Sequence, residues 1–390
     1  MNLKVFLILM TVVAVVSDSM LHPFYPQFFD VVFGVSNPQH VGSYIAACSL
    51  TVMLSFPVWA WVARKTPVLH LLVFTQIVTG LLCLVCYWST SLIFFWLVSL
   101  LIMVFKASYL LIYPYIMSLE NKDDHITTIS LLAFVVYFSN IIAALFSGLI
   151  FELLEPQFLF IAMAGGDAIQ ILICLFLLLR GMDLDEQAEE EQIAGPAPGI
   201  FVYKLGFVML ILYFSAYLTE PFFSQYWEYI SAYDNKIVSG LVFAIPGIAA
   251  LTALYFNTKS RNRQDQYRGI VSAIICGVFG LLLQASAQES VVITGRFFYG
   301  WALFQSMVRL DLLLFKLSSP QSYAVDFSKV NLFQSLGILF SSFAAGSLVF
   351  SSGLKFPFIA AALGFILAAL LYRNLFRQEI KISAATANHA

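Results

Sequence analysis

Apolar runs of about 20 residues, separated by short polar loops, recur along almost the whole chain. No other feature limits the possible folds as strongly. Of 390 residues, 61% are hydrophobic and only 11% charged, where ordinary soluble domains carry about 25% charge. No soluble fold hides that much apolar surface, so the chain reads as an integral membrane protein. Backbone groups in lipid must be satisfied within the protein, which leaves helices or a closed barrel. Continuous runs, rather than alternating segments of about 10 residues, select helices. Twelve spans are expected, near 3–28, 41–63, 68–88, 91–117, 126–150, 157–179, 201–228, 237–257, 268–287, 290–316, 327–350 and 356–373.

The polar remainder sets the organisation. Residues 181–200 combine an acidic run with Gly195-Pro196-Ala197-Pro198-Gly199, a composition that builds no core and reads as a solvated cytoplasmic linker. It separates an N-terminal six-helix bundle (1–180) from a C-terminal one (201–376), with a cytoplasmic tail at 377–390. With the N-terminus inside, the loops on that side and both termini hold fifteen Lys and Arg, against Lys236 and Lys355 opposite. That asymmetry places both termini in the cytoplasm. The N-terminal run resembles a signal peptide but lacks a small-residue cleavage site, and reads as a retained first helix. All five cysteines lie inside apolar runs, including Cys83 and Cys86, and read as packing residues. No basic groove suggests nucleic acid. No P-loop, catalytic cluster, metal-ligand set or cofactor motif stands out, and a monomer is expected.

The chain repeats itself. His22-Pro23-Phe24-Tyr25-Pro26-Gln27-Phe28-Phe29 is echoed 198 residues later by Glu220-Pro221-Phe222-Phe223-Ser224-Gln225-Tyr226-Trp227. Gly42 and Gly240 keep the same offset of 198. Six spans per half is an even number, so both halves enter the membrane from the same side as parallel repeats. The fold class expected is therefore all-α and integral to the membrane: twelve helices in two parallel six-helix repeats.

An ionisable group near the bilayer centre costs at least about 2.5 kcal/mol on insertion scales, and needs a partner or a wet cavity. Asp18 and His22 lie on span 1, Lys106 on span 4, Asp167 on span 6, Glu220 on span 7, and Arg296, Arg309 and Asp311 on span 10. Apart from Asp167, they keep to every third helix. Asp18, His22, Tyr25 and Phe29 share one helical stripe. Lys106, Tyr109 and Tyr113 share another, as do Trp301, Gln305 and Arg309, while Glu220, Phe223 and Trp227 repeat the pattern on span 7. Such stripes suit the lining of a polar substrate cavity. Lys106 and Arg309, with Arg296, Tyr25, Tyr109, Tyr113, Gln305, Trp301 and Phe223, are the candidate ligands of an anionic substrate, since ammonium and guanidinium groups recognise carboxylates. Lys106 could instead pair with Asp18, and Arg296 could snorkel toward the external face. Glu220, Asp18, His22 and Asp311 are candidates for carrying a coupling proton in this low-dielectric setting. Pro23, Pro26 and Pro221 break their helices and are candidate hinges or gates. Asp167, beside Gly165-Gly166, reads as a helix–helix hydrogen-bonding residue.

Two parallel six-helix halves, an acidic central linker and charges on spans 1, 4, 7 and 10 resemble the major facilitator superfamily. Of the signature between spans 2 and 3, Gly-x-x-x-Asp-Arg-x-Gly-Arg-Arg, only Arg64-Lys65 remains; after span 8 stand Lys259, Arg261, Arg263 and Asp265. The resemblance implies a cavity lined by spans 1, 4, 7 and 10, and alternating access by rocking of the halves. The Leu21-His22-Pro23-Phe24-Tyr25-Pro26 exit is similar to that of bacterial inner-membrane exporters associated with siderophore operons. The expectation is a proton-coupled exporter of a small organic anion, for instance a carboxylate-type siderophore, in the bacterial inner membrane. The alternatives are a metabolite importer or drug efflux pump of the same fold, and, more remotely, a membrane-embedded enzyme or sensor.

Overall fold

The computed structural model describes residues 3–112, 115–116, 125–181, 199–233, 235–259, 266–318 and 323–377. Among these residues every regular element is a helix. The first half runs through α1 (Leu3–Ser19), a 3-10 turn (His22–Phe24), α2 (Tyr25–Phe33), α3 (Pro38–Ala63) and α4 (Val68–Tyr87). It continues with α5 (Leu92–Lys106), a 3-10 stretch (Ala107–Leu111), α6 (His125–Leu153) and α7 (Phe158–Leu179). The second half comprises α8 (Ile200–Tyr217), α9 (Phe223–Ile230), α10 (Lys236–Lys259), α11 (Gln266–Gln284), α12 (Glu289–Leu317), α13 (Tyr323–Ser352) and α14 (Phe356–Leu375). Among the described residues, ten helical stretches are long and apolar enough to cross a membrane, and α11 adds a shorter apolar one. The 29-residue α12 is long enough too, but carries Arg296, Arg309, Asp311 and Lys316. The protein is a twelve-span, all-helical membrane protein made of two parallel six-helix repeats.

The duplication governs where helices break. α1 stops at Ser19 and the chain becomes helical again at Tyr25; α8 stops at Tyr217 and α9 begins at Phe223, both 198 residues on. Proline enforces the first interruption: Pro23 occupies the 3-10 turn and Pro26 the first turn of α2. Pro221 lies in the second. α2 ends on Gly34 at φ +65°, a left-handed conformation that glycine adopts without strain.

By its contacts the chain divides into two compact units. The first takes residues 1–37, 47–189 and 233–244; the second takes 38–46, 190–232 and 245–390. Within the first, α4 packs on α5 and α7, and α1 on α6 and α7. Within the second, α11 packs on α12 and α14, and α8 on α13 and α14, the same pattern one repeat later. One helix crossing made by glycine is repeated in both units. In the second, a Cβ on Gly42 would lie 2.6 Å from the Ser342 carbonyl and 3.0 Å from Gly346 Cα. In the first, Gly240 meets the Ala144 carbonyl, and a Cβ on Gly148 would lie 2.7 Å from the Lys236 carbonyl. Gly42 and Gly240, Gly148 and Gly346, Ala144 and Ser342, and Pro38 and Lys236 are all 198 residues apart. Helices approach this closely only where no side chain intervenes.

Candidate functional site

The densest arrangement of charge lies within the first unit. α5 tightens into a 3-10 stretch immediately after Lys106, and the indole N–H of Trp59 on α3 donates to the Val104 carbonyl at 2.6 Å, just before that change. Lys106 is buried, and its ammonium donates to Asp18 Oδ1 on α1 and, at 3.3 Å, to Asp167 Oδ1 on α7. The Asp18 side chain is 33% exposed, whereas Asp167 is wholly buried. His22, one turn beyond Asp18, is exposed, with its ring 5.9 Å from that of buried Tyr25.

Around Asp167 the packing is polar on one side. Gln170 Nε2 lies 3.5 Å away, and the Cys83 thiol on α4 lies 3.9 Å away. Thr79, also on α4, contacts the carboxyl through its hydroxyl. Thr75, Gln76, Thr79 and Cys83 form a buried stripe along α4, and Ser108 on the 3-10 stretch donates to Thr75 at 2.8 Å. The ion pair that sequence alone left open, Lys106 with Asp18, is therefore present and extended by a second acid. Asp167 is the residue sequence reasoning undervalued. The available signal was a polar stripe on span 3 facing an intramembrane acid, which cannot be deduced without knowing that α4 and α7 pack together.

Tyr109 requires a correction. The shared stripe with Lys106 suggested a cavity wall, but Tyr109 is buried in the hydrophobic core with Leu7, Met10, Leu69 and Ile112. The tightening to 3-10 geometry after Lys106 breaks the α-helical register on which that stripe was drawn. Tyr113 lies outside the described residues. Phe28 and Phe29 of the opening motif pack against Phe95, and Phe28 also against Phe160.

The second unit spreads its charge along α12. Arg296 is buried, with its guanidinium carbon 3.7 Å from the centre of the Phe223 ring. Glu220 interacts with it electrostatically, and so does Tyr299. Arg296 is thus an interior residue rather than a snorkelling one. Three turns further, Arg309 Nε donates to Gln305 Oε1 at 3.4 Å, and its guanidinium packs on Gly269 of α11. Gln305 is itself fixed by a reciprocal amide pair with Asn257, at 2.9 and 3.3 Å. Trp301 is partly exposed beside Phe256. Among the described residues, neither Arg309 nor Asp311 makes an ion pair.

Comparison with known proteins agrees with this architecture. The profile of the Major Facilitator Superfamily matches residues 7–313. A search of curated proteins returns no match. Among solved structures, the nucleoside transporter NupG superposes with a TM-score of 0.75 at 15% identity, covering 96% of this chain and 99% of that one. A bacterial homologue of the iron transporter ferroportin, in its inward-facing state, gives 0.74 at 13% identity, with 96% and 99% covered. The human organic anion transporter MFSD10 gives 0.69 at 13% identity, with 95% and 98% covered. At such identities the likeness speaks for the fold alone.

Proposed function

Since the chain belongs to the major facilitator superfamily, we propose that this multi-pass membrane transporter is driven by protons bound at the Lys106 cluster and carries a small organic anion. One observation carries the coupling: Lys106 is bracketed by two carboxyls, Asp18 and Asp167. Fully ionised, the cluster holds one negative charge in excess in a setting where uncompensated charge is costly. A single proton on either acid removes it. Glu220 faces one base, Arg296, and needs no proton to be balanced. The coupling role therefore falls on Asp18 and Asp167 before Glu220, with His22 one turn beyond Asp18 and Asp311, on α12, in no ion pair among the described residues.

Lys106 is engaged by these acids, which leaves Arg309 as the favoured ligand for cargo. It is held by a neutral amide and offers the planar fork that suits carboxylates. Gln305 and Trp301 on the same helix would add a hydrogen bond and an aromatic face. Arg296 and Phe223 are engaged with each other, and support the helix interruption at Pro221 rather than the cargo. Export from the bacterial inner membrane, with a carboxylate-rich siderophore as one cargo, remains the finer form of the proposal. Cytoplasmic termini follow from the distribution of Lys and Arg.

Proteoliposomes loaded with a panel of labelled di- and tricarboxylates test the reading. The expected outcome is accumulation driven by an imposed pH gradient and abolished by a protonophore. Asp18→Asn should lose accumulation while retaining exchange, because Lys106 keeps a partner in Asp167. Carboxylate flux indifferent to the pH gradient in the wild type would reject proton coupling.

A further inference from the structure

The two acids of the Lys106 cluster are not equivalent, and their surroundings distinguish which one keeps the proton. Asp167 has no exposed surface, while Asp18 is 33% exposed. A buried carboxylate stays ionised only if donors satisfy its oxygens. Those around Asp167 are few and shared. Lys106, from α5, divides its ammonium between both acids. Gln170 approaches at 3.5 Å but is equally placed, at 3.4 Å, to donate to the Gly166 carbonyl. Cys83, from α4, offers a thiol, which is a weak donor, at 3.9 Å. Among the described residues, the charged or titratable groups facing Asp167 are Lys106, Asp18 and Cys83.

Thr79 adds only a further shared donor. Its single hydroxyl proton is divided between Asp167 and Gln76, whose backbone carbonyl lies at 3.1 Å and side-chain Oε1 at 3.3 Å. A hydroxyl has one donor, so it satisfies the buried carboxylate only in part. Asp18 differs: its partial exposure lets water solvate the ionised form.

We propose that Asp167 is the storage site of the coupled proton, with Asp18 as its port to water; the inference rests on the cluster reading above. The transfer balances. A proton taken up by Asp18 passes to Lys106 as the ammonium gives one of its own to Asp167. Asp18 is then ionised, Lys106 still positively charged, and Asp167 neutral. Asp167 stands on the sixth span, which the restriction of other charges to spans 1, 4, 7 and 10 would leave out of the mechanism.

Infrared difference spectroscopy across a pH change, on the full chain in lipid nanodiscs and without cargo, reads the C=O stretch of the protonated acid. Asp167→Glu is expected to move that band and Asp18→Glu to leave it in place. A band that follows Asp18→Glu and ignores Asp167→Glu would overturn the assignment while sparing proton binding by the cluster. Charge balance makes a separate demand: Asp18→Asn or Asp167→Asn leaves one acid for Lys106, and either should erase the band. Persistence of the band in both Asn variants would overturn the cluster reading itself, and the assignment with it.

Discussion

At the scale of single residues, Lys106 is the side chain on which most depends. Its ammonium answers two carboxyls inside the first unit, and one of them has no contact with solvent. Removing one partner of a buried ion pair typically costs about 3–5 kcal/mol, because the other charge is stranded. Lys106→Met should therefore lower thermal stability markedly in detergent, whereas Asp167→Asn should cost far less, since Lys106 keeps Asp18. The Lys106→Met, Asp167→Asn double variant should regain part of the loss. Thermal unfolding followed by tryptophan fluorescence, at a pH high enough to empty the cluster of its extra proton, checks the order, and a double variant no better than Lys106→Met there would mean that Asp167 is not an ionic partner. The charges themselves were legible in the sequence, as was the possibility of a Lys106–Asp18 pair. Asp167's share was not, because its partners come from α4 and α5, and no local pattern tells which helix faces which.

At the scale of helices, the two repeats use glycine in the same way. Gly42 and Gly240 open their spans against a carbonyl of a distant helix, and Gly148 and Gly346 return the contact. A side chain at any of these points must push two backbones apart, and overpacking of this kind typically costs about 1–3 kcal/mol. Gly42→Val and Gly240→Val should both lower thermal stability and transport, and by similar amounts, since the crossings share one design. Gly165→Ala is the control: an added methyl there meets nothing within 4 Å, and stability should hold or rise. Equal tolerance at all three positions, measured by thermal unfolding and carboxylate exchange, would contradict close approach at the crossings. The paired glycines at offset 198 were visible in the sequence. What they touch was not. The helix interruptions were better foretold, because proline removes a backbone donor wherever it stands.

Across the whole molecule, the distribution of cations predicts that reporters fused at residue 190 and after the C-terminus both register in the cytoplasm. Either one appearing outside would discard the twelve-span arrangement. Composition, periodicity and the 198-residue repeat were enough to determine an all-helical, duplicated membrane protein, since lipid admits so few backbone solutions. Span boundaries, breaks and repeat register likewise follow from rules that act along the chain. The site did not follow in the same way. A helical stripe predicted Tyr109 to line a cavity, and a local tightening of the helix put it in the core instead. Side-chain pairing between helices remote in sequence made Lys106 a counter-ion of two acids and, among the described residues, left Arg309 without one. Those outcomes depend on which helix faces pack together, and only the tertiary structure sets them, because the same apolar runs are compatible with many rotations of each helix about its own axis.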